Sequence, residues 1–213
     1  MSYWSHRKPI RRARAVDVGA IAQAAADLLD EGGLRALTVR AVAARIGVAP
    51  ASLYSRVESV DDLFDLALDH ALGCDQDITG AVVDAGLRDL MVTYYRHLLR
   101  HRWACQVIAM RAPRGPNYLR LSERMCLLLE EAGAPDPLGV AYALSNYVIG
   151  SASTTPTADS ERAAPIDPGI APVYARLHTH HDVDTEAILT TGLAALHPLL
   201  TGAGKGQERK AGQ

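Results

Sequence analysis

Aromatic residues make up only 5% of the 213 residues, with a single phenylalanine, so a core must be built from aliphatic side chains. Cysteine is almost absent. Cys74, Cys105 and Cys126 stand apart, without metal-ligand spacing or a disulfide framework, and they read as buried or partly buried reduced thiols in a cytoplasm. No apolar run is long enough to span a bilayer. The opening MSYWSHRKPIRRARAV is basic but lacks the apolar centre of a secretory signal. No segment alternates with the period of a strand, and nothing repeats, so the chain is expected to be all-α. There is no phosphate-cradling glycine loop, no metalloprotease helix pair and no nucleophile elbow. That leaves no catalytic residue, no cofactor site and no reason to expect an enzyme. What remains, 48% hydrophobic and 22% charged, suits one or two soluble domains.

The net charge of −2 conceals an asymmetry. Residues 1–56 hold nine Lys/Arg against four Asp/Glu, and the rest hold thirteen against twenty. A basic head on an acidic body suits a protein that presents one end to phosphate. Arg7, Lys8, Arg11, Arg12 and Arg14 form an arm over residues 1–16. It can follow a nucleic-acid backbone or minor groove, or be a flexible solvated terminus.

The most informative stretch is Thr38 to Val57, TVRAVAARIGVAPASLYSRV. It reads as two short helices joined by a tight turn, the helix-turn-helix that lays its second helix in the major groove of DNA. Thr38 caps the first helix. Ala43 permits close approach, and Gly47 supplies the positive φ of the reversal. Pro50 fits the first turn of the second helix. Val42, Ile46, Leu53 and Val57 close an apolar cluster. Thr38, Arg40, Pro50, Ala51, Ser52, Tyr54, Ser55 and Arg56 are then the expected DNA-facing residues. Tyr54 and Arg56 suit phosphate, while Ala51 and Ser52 are placed to meet bases. Before this motif, Ile21, Ala25, Leu28 and Leu29 mark an amphipathic helix ending at Gly32-Gly33. After it, Ser59 and Asp62 resemble a capping box for a helix carrying Leu63, Leu66, Ala67 and Ala71 and closed by Gly73. A head over residues 17–73 follows.

Residues 74–200 show further helical stripes: Leu87 to Leu98, Trp103 to Met110, Leu121 to Leu129, Val140 to Val148, about Gly169 to His178, and a last one capped by Asp184 and carrying Ile188, Leu189, Leu193 and Leu196. Residues Ser151 to Pro168 are rich in Ser, Thr, Ala and Pro and read as a long loop. Residues 201–213 read as a disordered tail. About nine or ten helices result. His178, His180, His181 and Asp182 form a metal-like cluster, or a solvated stretch. His97 and His101, four apart, share one helix face.

Residues Ala24 to Leu72, AAADLLDEGGLRALTVRAVAARIGVAPASLYSRVESVDDLFDLALDHAL, resemble the tetracycline-repressor (TetR) family of bacterial transcription regulators. The shared order is a helix ending in Gly, a Thr-capped helix, Gly-Val at the turn, Leu-Tyr in the recognition helix, a polar turn and an acidic-leucine helix. LLRHRWACQVIAMRAPRGPNYLRLSERMCLLLEEAG and AYALSNYVIGS resemble that family's tetracycline-repressor subgroup in layout. Arginine outnumbers lysine and alanine is abundant, which fits a GC-rich bacterial genome.

The resemblance implies a homodimer formed through helices over residues 137–152 and 184–198, with Ala141, Ser145, Gly192 and Ala195 allowing close approach. It implies an effector pocket among Tyr94, His101, Ile108, Met110, Asn117, Leu121, Met125 and Tyr147. Such a lining suits a small organic molecule. Ile108 and Thr154 stand where the subgroup holds its metal-binding histidine and acid, so no metal is expected. Val60 replaces a phosphate-contacting lysine, and Ser55 replaces a bulky aromatic. The expected protein is a cytoplasmic repressor, released from a near-palindromic double-stranded operator by a small effector, with no membrane association. Alternatives are an activator or constitutive regulator of the same fold, and a helical binding protein or enzyme without DNA function.

Overall fold

The computed structural model describes residues 2–6, 16–180 and 183–196. Arg7, Lys8, Arg11, Arg12, Arg14, His181, Asp182, Pro198 and the 201–213 tail lie outside the described residues. Among the described residues every regular element is helical. The α-helices are α1 Val18–Gly32, α2 Val39–Arg45, α3 Pro50–Leu53, α4 Val60–Cys74, α5 Gln76–Asp84, α6 Leu87–Arg100, α7 Arg102–Met110, α8 Pro116–Glu131, α9 Pro137–Thr154, α10 Ala158–Ala163, α11 Pro172–His180 and α12 Thr185–Ala195. The all-α expectation holds: among the described residues ten helices have seven or more residues, as the nine or ten expected, and α3 and α10 are shorter.

Local chemistry explains most boundaries. The Asp17 carboxylate accepts from the Gly19 and Ala20 amides and starts α1. Thr38 Oγ1 accepts from Ala41 N at 3.0 Å to start α2. At Gly47, φ is +70°; Val48 N bonds back to Ala43 O, closing the helix end as a glycine reversal does. Asp75 caps α5 through the Asp77 and Ile78 amides. The α5 helix had not been expected, because Gln76–Asp84 buries only Ile78 and Ala81.

Three other expectations need correction. Gly73 does not end α4; it lies inside the helix, where a Cβ would overlap the Asn117 amide. The 151–168 loop is largely helical, taken up by the end of α9, a 3₁₀ turn Thr155–Thr157 and α10. Ser/Thr hydroxyls of this stretch fold back onto carbonyls three or four residues earlier, as Thr154 and Thr155 do onto Ser151, which helices tolerate. Finally, the first residues are not a free terminus. Tyr3, 2% exposed, packs edge-on against Trp4 and donates its amide to Asp65 Oδ2 at 2.8 Å.

The core runs continuously from head to body. Ile21, Ala25 and Leu29 of α1 meet Leu63, Leu66 and Ala67 of α4; α6, α8 and α9 bury Leu90, Met91, Leu98, Leu121, Leu129, Leu144 and Val148. The α4 helix packs along α1 on one side and against α8 on the other. It therefore joins the two halves physically.

Candidate nucleic-acid interface and its links to the helical body

The helix-turn-helix is built as its pattern demands. Val42, Ala43, Leu53 and Val57 are wholly buried and Ile46 is half-buried. Their burial turns Thr38, Arg40, Pro50, Ala51, Ser52, Tyr54 and Ser55 outward, all exposed. Pro50 stands at the first position of α3. The α3 helix is only one turn. After Leu53 the backbone tightens, with Ser55 N bonding to Ser52 O and Arg56 N to Leu53 O.

Arg56 departs from expectation. It is 6% exposed, and its Nε donates to the Val16 carbonyl at 3.1 Å. The reason is positional: Arg56 lies three residues after Leu53 and shares its inward face. The side chain ties the end of the motif to the entry of α1 and is not presented to DNA. Arg45 is also engaged, in a paired contact with Glu31 at 2.9 and 2.6 Å. The α4 N-terminus is closed too. Ser59 Oγ caps Asp61 N, and the Asp62 carboxylate accepts from Glu58 N at 2.6 Å, one residue before the bond that a capping box would make. Asp61 and Asp62 also place negative charge there, which opposes phosphate.

Behind this surface, α4 carries a row of acids at Asp61, Asp65 and Asp69, one turn apart on one face. Asp65 and Asp69 are each 5% exposed. Arg111, closing α7, reaches Asp61 at 2.6 Å and Asp65 at 3.0 Å. Asp69 accepts from the Asn117 and Tyr118 amides at 2.8 and 3.1 Å and from the Asn117 side chain at 3.0 Å. It thus caps α8 from another helix. Burial pushes the Asp69 pKa up against the pull of the Tyr118 and Asn117 bonds. Gly115 is required here, because a Cβ would overlap the Asp69 carboxylate. A second link joins α1 to the body: Asp30 accepts from Trp103 Nε1 at 2.6 Å and from His101 Nδ1 at 2.9 Å. Composition and periodicity did not single out Asp30, Asp65, Asp69, Trp103 or Arg111. The signal was present only as acids spaced four apart beside an apolar stripe.

The expected effector residues divide. Tyr94, Leu121 and Met125 lie fully inside the α6–α9 core, and Ile108 is half-buried on α7. Four others are turned elsewhere. Met110 is 55% exposed. Asn117 is committed to Asp69. His101 faces the head and lines a polar cleft of about 420 Å³ with Gln23, Asp27, Asp30, Cys74 and Arg100. The Tyr147 hydroxyl donates to Ile188 O at 3.2 Å and fills the space that Gly192 leaves on α12. Gly192 therefore permits an approach within the subunit.

The other histidines are held by the fold. His97 Nδ1 lies 2.7 Å from Asp75 Oδ2. Burial holds the His97 pKa down to about 4, against the Asp75 bond that raises it. Burial raises Asp75, but the bonds from His97 and Arg100 outweigh it and hold the carboxyl below its usual range. The His178 ring lies tilted against Tyr174, and His180 Nδ1 bonds to Arg176 O. Among the described residues no group of three or more His, Cys, Asp or Glu could hold a metal ion, and no helix is long and apolar enough to cross a membrane. All three cysteines are free; Cys74 is exposed, not buried, with Sγ 3.4 Å from His70 Nε2.

This geometry agrees with the known proteins that the chain resembles. Residues 21–67 match the bacterial regulatory proteins of the tetR family, and residues 84–201 match the tetracyclin repressor-like C-terminal domain. An HTH-type transcriptional regulator of Saccharopolyspora erythraea is 39% identical over 62% of this chain and 58% of its own length. The HTH-type transcriptional repressor DrrR1 of Streptomyces coeruleorubidus is 29% identical over 68% of this chain and 56% of its own. The chain thus spans a little over half the length of these two relatives. ActR of Streptomyces coelicolor, solved in complex with actinorhodin, superposes with a TM-score of 0.70 at 25% identity, over 89% of this chain and 99% of its own. The second match alone covers more than half of the residues and the first covers the helix-turn-helix, so the chain belongs to the TetR family of bacterial transcriptional regulators.

Proposed function

We propose that the chain is a ligand-responsive repressor that binds a near-palindromic operator as a homodimer in the cytoplasm. The observation that carries this reading is the solvent-facing strip Thr38, Arg40, Pro50, Ala51, Ser52, Tyr54 and Ser55, backed by the buried Leu53 and Val57 and joined to the body by the α4 acids. It is a DNA-binding regulator and not an enzyme. Tyr54 serves as a phosphate contact, and Ala51 and Ser52 face base edges. Two such heads fit successive major grooves when their centres stand about 34–36 Å apart.

Dimerisation is supported by α9 and α12. Each buries one stripe (Val140, Leu144 and Val148; Leu189 and Leu193) and still exposes apolar groups, with Leu138 57%, Tyr142 61% and Ile188 47% exposed. A helix apolar on every side needs a second partner. An effector enters the α6–α9 core and favours a state in which the heads have the wrong spacing. A full switch needs about 5 kcal/mol of differential affinity. Displacement of α7 or α8 reaches the head through Arg111, Asp69 and Asp30. No divalent metal takes part, since Ile108 supplies no ligand. DrrR1 is named a repressor and ActR binds actinorhodin, which supports this reading by kinship.

A gel-shift assay with the gene's own upstream DNA tests it, repeated with a panel of metabolites with and without EDTA. A retarded complex is expected, released by one class of compound equally in both conditions. Release that requires metal would contradict the metal-free site.

A further inference from the structure

A cavity opens between the two halves of the molecule. The polar cleft of about 420 Å³ that His101 lines is bounded on the head side by Ala26, Asp27 and Asp30 of α1. On the body side it is bounded by Asp75 and Asp77, where α4 passes into α5, and by Arg100 at the end of α6. Ala71 and Cys74 of α4 complete it. Its volume falls in the range of small-molecule sites, about 300–1,000 Å³.

The fixed charge of this cleft is mainly of one sign, four aspartates against one arginine. Two of the acids are spent on the fold. Asp30 accepts from Trp103 and His101, and Asp75 is engaged by His97 and Arg100. The other two meet no cation at hydrogen-bond distance among the described residues. Asp27 accepts from the neutral Gln23 amide at 2.7 Å. Asp77, its side chain 74% exposed, stands 3.7 Å from Arg100. One belongs to the head and the other to the body. Among the described residues no three His, Cys, Asp or Glu groups converge to hold a metal ion. The negative charge is spread along the cleft, which suits a ligand whose positive charges are themselves separated.

We propose that this cleft binds an aliphatic polyamine, whose ammonium groups donate to Asp27 of the head and Asp77 of the body while its methylenes lie over Ala26 and Ala71. Ammonium–carboxylate hydrogen bonds are stronger than those between neutral groups. The site is separate from the effector core proposed above. A molecule seated there joins α1 to α5 and adds a tie beside the Asp30 bonds. It stabilises the folded arrangement of head and body by mass action.

The test uses the full chain without DNA. Spermidine is titrated by calorimetry in about 0.15 M NaCl, where diffuse attraction beyond about 8 Å is screened. One saturable site per subunit is expected, with a rise in Tm. The double variant Asp27→Asn/Asp77→Asn is expected to weaken binding at least about tenfold. Cys74→Phe keeps every charge and fills the cleft from an exposed position, and it is expected to abolish binding. The ligand-free Tm of both variants should stay within about 2 °C of the wild type. Absence of saturable binding to the wild type would overturn the inference. Undiminished binding by Cys74→Phe would also overturn it, by showing an ion atmosphere in place of an occupied cavity. So would displacement of spermidine by an equal concentration of MgCl2, since any doubly charged ion would then suffice. Each of these results leaves the operator-binding reading standing.

Discussion

Arg56 and Tyr54 are two residues apart and have opposite fates. Tyr54 is 52% exposed and Arg56 is 6% exposed. Replacing Arg56 by Ala removes a bond to Val16 O and a packed side chain, so the fold should lose about 1–3 kcal/mol in urea denaturation. Tyr54→Phe should weaken operator binding at unchanged stability, with an unchanged salt slope, because no charge is lost. If Arg56→Ala instead left stability intact and lowered the salt slope by about one, the arginine would be a phosphate contact after all. The exposed strip of the helix-turn-helix was legible in sequence because Leu53 and Val57 define its back. Arg56 was misread because its type suggested DNA, whereas its spacing from Leu53 placed it inside. His97 makes a second residue-scale prediction. Its folded pKa, about 4, lies below the unfolded value of about 6.5. Its stabilising contribution is therefore full above about pH 6.5 and is lost as pH falls through about 4, amounting to about 3 kcal/mol. Asp75, whose pKa is also depressed, acts in the same direction. His97→Asn retains a donor for Asp75 and should flatten stability between pH 4 and 6.5; an unchanged slope would assign the effect to other groups.

At the scale of elements, α4 is the helix that packs against both head and body. Its apolar stripe Leu63, Leu66, Ala67 and Ala71 was readable from period alone. Asp65 and Asp69 were not, because an acid in an amphipathic helix normally faces water. Only their partners, Arg111 and the α8 N-terminus, explain their burial. The short α5 and α10 escaped notice for a related reason: α5 buries only Ile78 and Ala81 and starts at the Asp75 cap, and α10 is a six-residue continuation of the 3₁₀ turn after α9. Gly115→Ala forces a Cβ into the Asp69 carboxylate. It should destabilise the protein by about 1–3 kcal/mol and blunt effector-driven release more than operator affinity itself. Thermal melts together with release curves check both. Full release at wild-type effector concentration would show that the Asp69–α8 joint does not transmit.

For the whole molecule, the apolar groups that α9 and α12 leave exposed support the proposed second subunit. Tyr142→Arg should yield a monomer by sedimentation at micromolar concentration, with operator affinity reduced at least 100-fold because two linked heads become one. The family was legible from Ala24 to Leu72 because a helix-turn-helix depends on local spacing. Of the residues expected to line an effector site, Asn117, His101 and Tyr147 are drawn by long-range packing to partners that sequence spacing does not reveal. The central claim, a dimeric operator-binding protein, is tested most directly by selecting bound sequences from random double-stranded DNA with the purified full chain. The account predicts one enriched, near-palindromic site whose half-sites lie about 10 base pairs apart, and its loss with Tyr142→Arg. Recovery of no sequence above background, or of a single half-site bound equally well by the monomeric variant, would contradict it.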